Sequence, residues 1–161
     1  GDHPSLGPVI TALAALVLVF CMFSIYFCEG DHLPSSKFST TFIWGYGHLF
    51  VFGSIAVLGA GVAAELDLAS HHSEVVQSVV AWWMGGPLAV FLAALWLTRD
   101  RHFNLGTRSL SLPVMAGFAL LAAALGSASW MFALVGLGAL AWRVPPPMAP
   151  KGQDVAEGSH G

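Results

Sequence analysis

Five apolar segments constrain the fold of this sequence more than any other feature. They cover approximately residues 8–27, 42–64, 75–97, 110–126 and 129–142. A helix needs about 20 apolar residues to cross a bilayer, and the first three segments reach that length. The last two are shorter and are separated only by the sequence SAS, so they predict either a tight helical hairpin or one long span with a short extension. We predict an all-α, polytopic membrane helical bundle with about five transmembrane helices.

The composition supports a lipid environment. Hydrophobic residues make up 56% of the 161 residues and charged residues only 9%, whereas soluble domains carry about 25% charged residues. Because so little charge cannot cover a globular surface with polar groups, we expect the lipid bilayer to surround most of the chain. The net charge of −3 offers no basic surface for nucleic acid, and we predict no nucleic-acid partner.

The distribution of Lys and Arg predicts an orientation. All six lie in residues 28–41, in residues 98–109 or after residue 142, and five spans place these segments on one side of the membrane. Lys and Arg accumulate in cytoplasmic loops, so we predict an outer N-terminus and a cytoplasmic C-terminus. Four spans would separate Arg143 and Lys151 from the other basic residues. Trp and Tyr near the predicted span ends agree with this arrangement.

The sequence leads to one prediction for the C-terminal end and another for the N-terminal end. Residues 144–161 are rich in Pro and Gly, which predicts a disordered cytoplasmic tail after a bundle of residues 1–143. The sequence begins at Gly1, and its first apolar run lacks the basic flank of a signal peptide. We therefore expect a fragment of a longer membrane protein, or a processed one.

The second span contains a histidine in the sequence WGYGHLF. His48 lies roughly 9 Å, about two turns, inside the span, and polar groups at membrane depth are costly and often functional. It falls beside a face of small residues that would allow close helix packing. That face comprises Gly45, Gly53, Ala56, Ala60 and Ala64. A structural role for His48 and a functional one (proton relay, substrate contact or ligand) both stay open.

The third span contains the sequence WWMGGPLAV. Pro87 has no amide hydrogen for the carbonyl of Trp83, and its ring crowds that carbonyl. With Gly85 and Gly86 directly before it, we expect the helix to bend or open. Such a bend is either a packing feature or the border of a cavity.

Metal and cofactor sites have weak support in the sequence. The segment ELDLASHHSE holds carboxylates and imidazoles, at Glu65, Asp67, His71, His72 and Glu74, but their spacing matches no defined ligand motif. A bis-histidine haem needs a second histidine on a facing helix, and no other predicted span contains one. Cys21 and Cys28 are interpreted as packing residues. We predict no metal and no cofactor.

Several short motifs occur in the order found in the bacterial low-temperature-requirement A (LtrA) family, which this sequence resembles. They are YF at Tyr26–Phe27, YGHL at Tyr46 to Leu49 with Gly53 and Gly61 following, GGP at Gly85 to Pro87, RDR at Arg99 to Arg101, and a final helical pair ending at Trp142. The family tends to place an acidic residue directly after the YF pair, where this chain has Cys28, and Glu65 is slightly displaced from a family glutamate.

This likeness covers nearly all of residues 8–143 and is similar to the C-terminal half of the family. It implies a bacterial inner-membrane protein, linked by name to growth in the cold, with no established reaction. It also implies partners within the membrane, namely an N-terminal half of similar size or other membrane helices.

Two hypotheses of function follow. The first is a non-enzymatic membrane protein that forms part of a transporter- or channel-like bundle, in which the second and third spans meet at a functional seam. The candidate seam residues are Tyr46, His48, Gly59, Gly61, Glu65, Gly85, Gly86 and Pro87. The alternative is a membrane scaffold or partner subunit that acts through helix packing. An intramembrane redox or metal enzyme is a third, less supported hypothesis, and we predict no enzymatic activity.

Overall fold

The computed structural model describes residues 6–28, 38–71, 75–102 and 106–143. Five α-helices account for most of this part of the chain: α1 (Leu6–Phe27), α2 (Phe38–Ala69), α3 (Gln77–Thr98), α4 (Ser111–Ala124) and α5 (Ser129–Arg143). Two short 3₁₀ helices, Asp100–His102 and Gly106–Leu110, connect α3 to α4. The all-α prediction is confirmed, since the described residues contain no strand. The predicted disordered tail, residues 144–161, lies outside them.

Four of the helices are long and apolar enough to cross a membrane. They are α1, most of α2, α3, and α4 together with the 3₁₀ residues before it. Helix α2 has 32 residues and extends beyond both ends of the predicted span 42–64. Helix α5 has 15 residues and is about 22 Å long at 1.5 Å per residue, which is less than the roughly 30 Å of a hydrocarbon core.

The turn between α4 and α5 decides between the two interpretations of residues 110–142. Gly126 has φ +65°, a left-handed conformation that glycine adopts without steric cost. The amide of Ser127 donates to the carbonyl of Ala122 at 3.0 Å, so this turn satisfies carbonyl groups at the end of α4. The segment is therefore a tight helical hairpin.

The packing order of the helices differs from their order along the chain. Helix α3 is the most buried and packs against α2 on one side and α4 on the other. Helix α1 packs mainly against α5 and contacts α2 less extensively. The core between these helices is apolar and contains the buried side chains Leu18, Met84, Phe91, Leu112 and Phe132.

The outer surface of the bundle is also apolar. Phe23, Phe52 and Leu121 each expose more than half of their surface, at 60%, 58% and 54%. Soluble monomers rarely expose continuous apolar surface of this kind. The bundle therefore has the surface of a protein surrounded by lipid.

Candidate functional site

The helix termini meet in two polar clusters, one at each end of the bundle. We call them the arginine end, formed by Arg99, Asp100 and Arg143 after α3 and at the end of α5, and the glutamate end, formed by Glu65 and Gln77. Both contain buried charged or polar side chains. Burying a charge is costly unless it is paired and hydrogen-bonded. The polar contacts within each cluster therefore link the helices that meet there.

At the arginine end, Asp100 is fully buried and pairs with Arg143. The guanidinium of Arg143 donates from Nη1 to Oδ2 at 2.5 Å and from Nη2 to Oδ1 at 3.1 Å. This is the bidentate arrangement that makes arginine–carboxylate pairs strong and geometrically specific. The pair joins the second residue after α3 to the last residue of α5.

Arg99 extends the arginine end to α1. Its Nη1 and Nη2 donate to the carbonyls of Tyr26 and Ile25 at 3.0 and 3.1 Å, and its Nε lies 3.5 Å from the Asp100 carboxylate. The last carbonyls of a helix have no partner within the helix and carry a partial negative charge. A buried cation at this position therefore stabilises the end of α1 and fixes it beside α3.

At the glutamate end, Glu65 of α2 reaches the beginning of α5. Its Oε1 accepts the backbone amide of Ser129 at 3.1 Å, and its Oε2 accepts Nε2 of Gln77 at 3.2 Å. Gln77 also donates to the carbonyl of Ser127 at 3.4 Å. A carboxylate at a helix N-terminus satisfies an amide that has no partner in the helix, so Glu65 caps α5 from another helix.

Helices α2 and α3 pack through a glycine. A Cβ atom added to Gly61 would lie 2.6 Å from the carbonyl oxygen of Trp83 and 2.9 Å from its carbonyl carbon. Pro87 provides no amide for this same carbonyl, and α3 runs through Pro87 without interruption. The backbones of α2 and α3 therefore approach closely at this point, where any side chain larger than that of glycine would clash.

The structure does not bring the eight predicted seam residues together. Gly61 lies in the α2–α3 contact, and Pro87 borders it from the outer side. Gly85 faces α4 and α5 instead, because a Cβ there would lie 2.7 Å from the Ala119 carbonyl oxygen. The adjacent Gly86 has open space at its Cβ position. Glu65 lies at the glutamate end, against the first residue of α5.

The other three predicted residues, Tyr46, His48 and Gly59, belong to α2 and lie away from its contact with α3. Gly59 lines an opening between α1 and α2, and Tyr46 is exposed. His48 is half-buried, and its ring lies 6.2 Å from that of Tyr26 with an edge-on geometry. His48 therefore lies beside the aromatic side chains of α1 and α2.

The tautomer of His48 follows from its hydrogen bond. Nδ1 lies 2.6 Å from the carbonyl oxygen of Trp44, one turn earlier. A carbonyl oxygen only accepts, so Nδ1 is the donor and the neutral ring carries its acceptor at Nε2. Among the described residues, no hydrogen bond to Nε2 is found.

The segment ELDLASHHSE, which begins in the last two turns of α2, gives no metal-binding cluster among the described residues. Asp67 and His71 are exposed, whereas His72 and Glu74 lie outside the described part. In that part, no three His, Cys, Asp or Glu side chains come together in a way that could hold a metal ion.

The comparison with protein families adds an identification. Residues 1–144 match the model of the family described as bacterial low temperature requirement A protein (LtrA). This chain belongs to the LtrA family. The predicted resemblance is thereby confirmed, and the family match extends from α1 through α5. No significant match is found among curated proteins or among solved structures.

Sequence reasoning missed the importance of one fully buried carboxylate in this LtrA chain. Asp100 appeared only within the RDR motif, as part of a charged loop, whereas the structure buries it completely. A usable signal was present, because Asp100 and Arg143 carry opposite charges and each lies within three residues of the end of an apolar segment. Five alternating spans place both at the same end of the bundle, where they can pair.

Proposed function

We propose that this LtrA chain crosses the bacterial inner membrane five times, with its N-terminus outside and its C-terminus in the cytoplasm. The meeting of the C-terminal ends of α1, α3 and α5 at the arginine end supports this alternation. The exposed Arg101 lies at the same end, as the positive-inside rule requires of the cytoplasmic side. The short helix α5 would be accommodated by local thinning of the bilayer, at a modest cost.

Within that arrangement, we propose that the chain is a non-enzymatic partner subunit that acts through helix packing. The observation that carries this proposal is the exposure of α2. Only 28% of its apolar stretch is buried in the bundle, against 33% for the stretch that contains α4, 39% for α1 and 56% for α3. A helix of this length with a largely uncovered surface offers the widest contact area for another transmembrane helix.

The uncovered surface of α2 includes a face of small residues. We call it the outer face, and it consists of Gly45, Gly53, Ala56 and Ala60, all of them exposed. A Cβ atom added to Gly45 or Gly53 would meet nothing within 4 Å. Helix association in lipid is driven by close packing, hydrogen bonds and lipid entropy, and small residues permit the close approach. The partner helix would come from a second polypeptide.

Site-specific photo-crosslinking in bacterial membranes tests this proposal. A benzophenone amino acid replaces Ala56 on the outer face or, as the control, Gly117 on the exposed surface of α4, where a Cβ also meets nothing within 4 Å. We expect a discrete crosslinked protein band from position 56 and only lipid adducts from position 117. Equal labelling of proteins from both positions, or of lipid alone from both, would contradict the proposal.

The transporter- or channel-like hypothesis is the second candidate, and the opening between α1 and α2 beside His48 favours it. It predicts that His48→Ala or Pro87→Ala abolishes an ion or solute flux in vesicles while the amount of folded protein stays the same. An unchanged flux in both variants would show that neither His48 nor Pro87 takes part in transport. The α2–α3 contact itself is closed by the backbone approach at Gly61 and is a poor candidate for a passage.

A further inference from the structure

The bundle is longer on its α1–α2 side than on its α4–α5 side. Arg99 is bonded to the last carbonyls of α1, and Asp100 is bonded to Arg143 at the end of α5. Helices α1, α3 and α5 therefore end at one level, at the arginine end. From this level α1 extends back to Leu6 but α5 only to Ser129. At 1.5 Å per residue, these lengths are about 29 Å and about 21 Å.

Contacts at the glutamate end show the same difference in length. A Cβ atom added to Gly7 would lie 3.6 Å from the carbonyl oxygen of Ala69, so the beginning of α1 lies beside the end of α2. The amide of Ser129, the first residue of α5, bonds instead to Glu65. Glu65 precedes Ala69 by about one turn, or roughly 6 Å along the helix. The turn between α4 and α5 therefore lies closer to the centre of the bundle than the ends of α1 and α2.

The exposed surface of α5 has a tryptophan at each end. Trp130 and Trp142 are exposed and enclose the exposed Leu134 and Leu137. Tryptophan favours the headgroup level of a bilayer, so the two indoles mark the boundaries of the hydrocarbon layer beside α5. Their positions are about 18 Å apart along the helix, whereas a typical hydrocarbon core is about 30 Å thick.

Helix α4 offers lipid an apolar surface of similar length. Its exposed apolar residues run from Leu110 to Leu125, with Arg108 just beyond them at the arginine end. This distance is about 22 Å. On α1, by contrast, the exposed Leu6 and Phe27 are about 32 Å apart. Only the α4–α5 side is therefore too short for an ordinary bilayer.

The α4–α5 hairpin cannot slide to remove this difference. The Asp100–Arg143 pair holds the end of α5, and the Glu65–Ser129 hydrogen bond holds its beginning. A tilt would make the span still shorter. A span of insufficient length is accommodated by thinning of the bilayer, and indoles at both ends of α5 indicate that lipid covers this surface.

We propose that this chain thins the outer leaflet of the membrane beside α4 and α5, and that it thereby recruits phospholipids with short acyl chains to this side. The thinning falls in the outer leaflet because α1, α3 and α5 end together at the arginine end, which is the inner one. The inference rests on the proposed five-span orientation. It is independent of the partner subunit, which concerns α2.

Spin labels at matched heights test the thinning. Leu134 of α5 and Leu16 of α1 are both exposed, and both lie about 14 Å from the arginine end. A nitroxide is attached to a cysteine at either position, in a chain whose Cys21 and Cys28 are replaced by Ala. Its collisions with oxygen and with a nickel chelate report its depth in dioleoyl phosphatidylcholine vesicles. We expect position 134 to lie at about half the depth of position 16, since Trp130 is only about 6 Å away. Equal depths would overturn the proposal.

A second pair of positions assigns the thinning to one leaflet. Ala141 of α5 and Phe23 of α1 are exposed, and both lie about 3 Å from the arginine end. We expect equal depths for this pair, because the inner ends of the two helices coincide. A much shallower label on α5 in this pair as well would overturn the assignment to the outer leaflet.

Cysteine labelling tests the five-span orientation separately. Ser127→Cys, in the turn between α4 and α5, is treated with a membrane-impermeant maleimide in intact spheroplasts. We expect labelling before lysis. Labelling before lysis together with equal depths at positions 134 and 16 would overturn the thinning alone. Labelling only after lysis would overturn the orientation and the outer-leaflet proposal with it.

Lipid competition tests the preference for short chains. Brominated phosphatidylcholine quenches Trp130, whose signal is the difference between the unmodified chain and Trp130→Phe. We expect dimyristoleoyl phosphatidylcholine to bind beside Trp130 about threefold more tightly than dierucoyl phosphatidylcholine, since the cost of mismatch grows with each ångström. Phe20→Trp on the exposed surface of α1 is the control and should show no such preference for the short chain. Equal binding of the two lipids beside Trp130 would overturn the recruitment.

Discussion

Gly61 of α2 lies directly against the carbonyl oxygen of Trp83, and Pro87 removes the amide that this oxygen would otherwise accept from within α3. The proline in α3 and the glycine in α2 compensate one another. The proline exposes a backbone acceptor, and the glycine lets a neighbouring backbone come close enough to cover it. In lipid, where no water reaches such a carbonyl, this cover has particular value.

The first prediction concerns that contact. Gly61→Ala places a methyl group 2.6 Å from the Trp83 oxygen, and both atoms are attached to helix backbones that must separate. We expect it to lower the free energy of unfolding by about 1–3 kcal/mol, the usual cost of overpacking. Unfolding in mixed dodecyl sulfate micelles, followed by circular dichroism, measures this change.

The control is Gly59→Ala, two residues earlier. A methyl group there meets nothing within 4 Å, and alanine has the higher helix propensity by about 1 kcal/mol. The stability of this variant should be unchanged or slightly higher. A similar loss of stability in both variants would contradict the assigned contact.

The second prediction distinguishes two adjacent glycines of α3. Gly85→Ala would bring its methyl within 2.8 Å of α4 and α5, against the Ala119 carbonyl, the Ala123 methyl and the Phe132 ring. Gly86→Ala meets open space. We expect only the first to be strongly destabilising, by about 2–3 kcal/mol or more, in the same unfolding assay. Equal stabilities would show that α3, α4 and α5 do not meet as described.

These glycines also show which features of the bundle the sequence could predict and which it could not. Apolar runs of helical length predicted the helices, because bilayer thickness alone sets that requirement. The sequence GGP predicted a special position in the third span, but it gave Gly85 and Gly86 the same role. Which of them contacts a neighbouring helix depends on how α3 is rotated against α4, and no local pattern contains that information.

The third prediction concerns the arginine end. Asp100→Asn removes the counter-charge of the buried Arg143 while preserving the shape of the side chain. Breaking one partner of a buried pair typically costs about 3–5 kcal/mol, and we expect a loss on this scale in the same unfolding assay. The exposed Asp67→Asn is the matched control and should have no measurable effect.

A double variant tests whether charge is the cause. Replacement of both partners, Asp100→Leu with Arg143→Met, removes the charge pair and keeps side chains of similar volume. Such replacements are often neutral, so the double variant should recover much of the lost stability. A double variant as unstable as Asp100→Asn would contradict an electrostatic origin.

The fourth prediction concerns the glutamate end. Glu65→Ala removes the acceptor of the Ser129 amide, and losing a helix cap costs about 1–2 kcal/mol. Hydrogen exchange at the first turn of α5 should accelerate about tenfold, whereas α4 remains unchanged. Asp67→Ala provides the control on the same helix. Unaltered exchange at Ser129 would exclude the cap.

Long-range polar contacts were the least predictable part of this protein. The sequence indicated Glu65 as a candidate seam residue, but its partners Ser129 and Gln77 follow from the hairpin geometry and the packing order. By contrast, helical periodicity alone places His48 beside the small-residue face of α2. The opening between α1 and α2 could not be derived in this way, because it arises where α1 turns away from α2 to pack against α5.

The most direct test of the partner-subunit account is the particle mass of the chain extracted from bacterial membranes in lipid nanodiscs. Ala56→Trp on the outer face of α2 is compared with the unmodified chain and with Gly117→Trp on α4. The account predicts that the unmodified chain and Gly117→Trp form particles heavier than one chain, and that Ala56→Trp reduces the protein mass to that of one chain. Identical masses for all three proteins would contradict it.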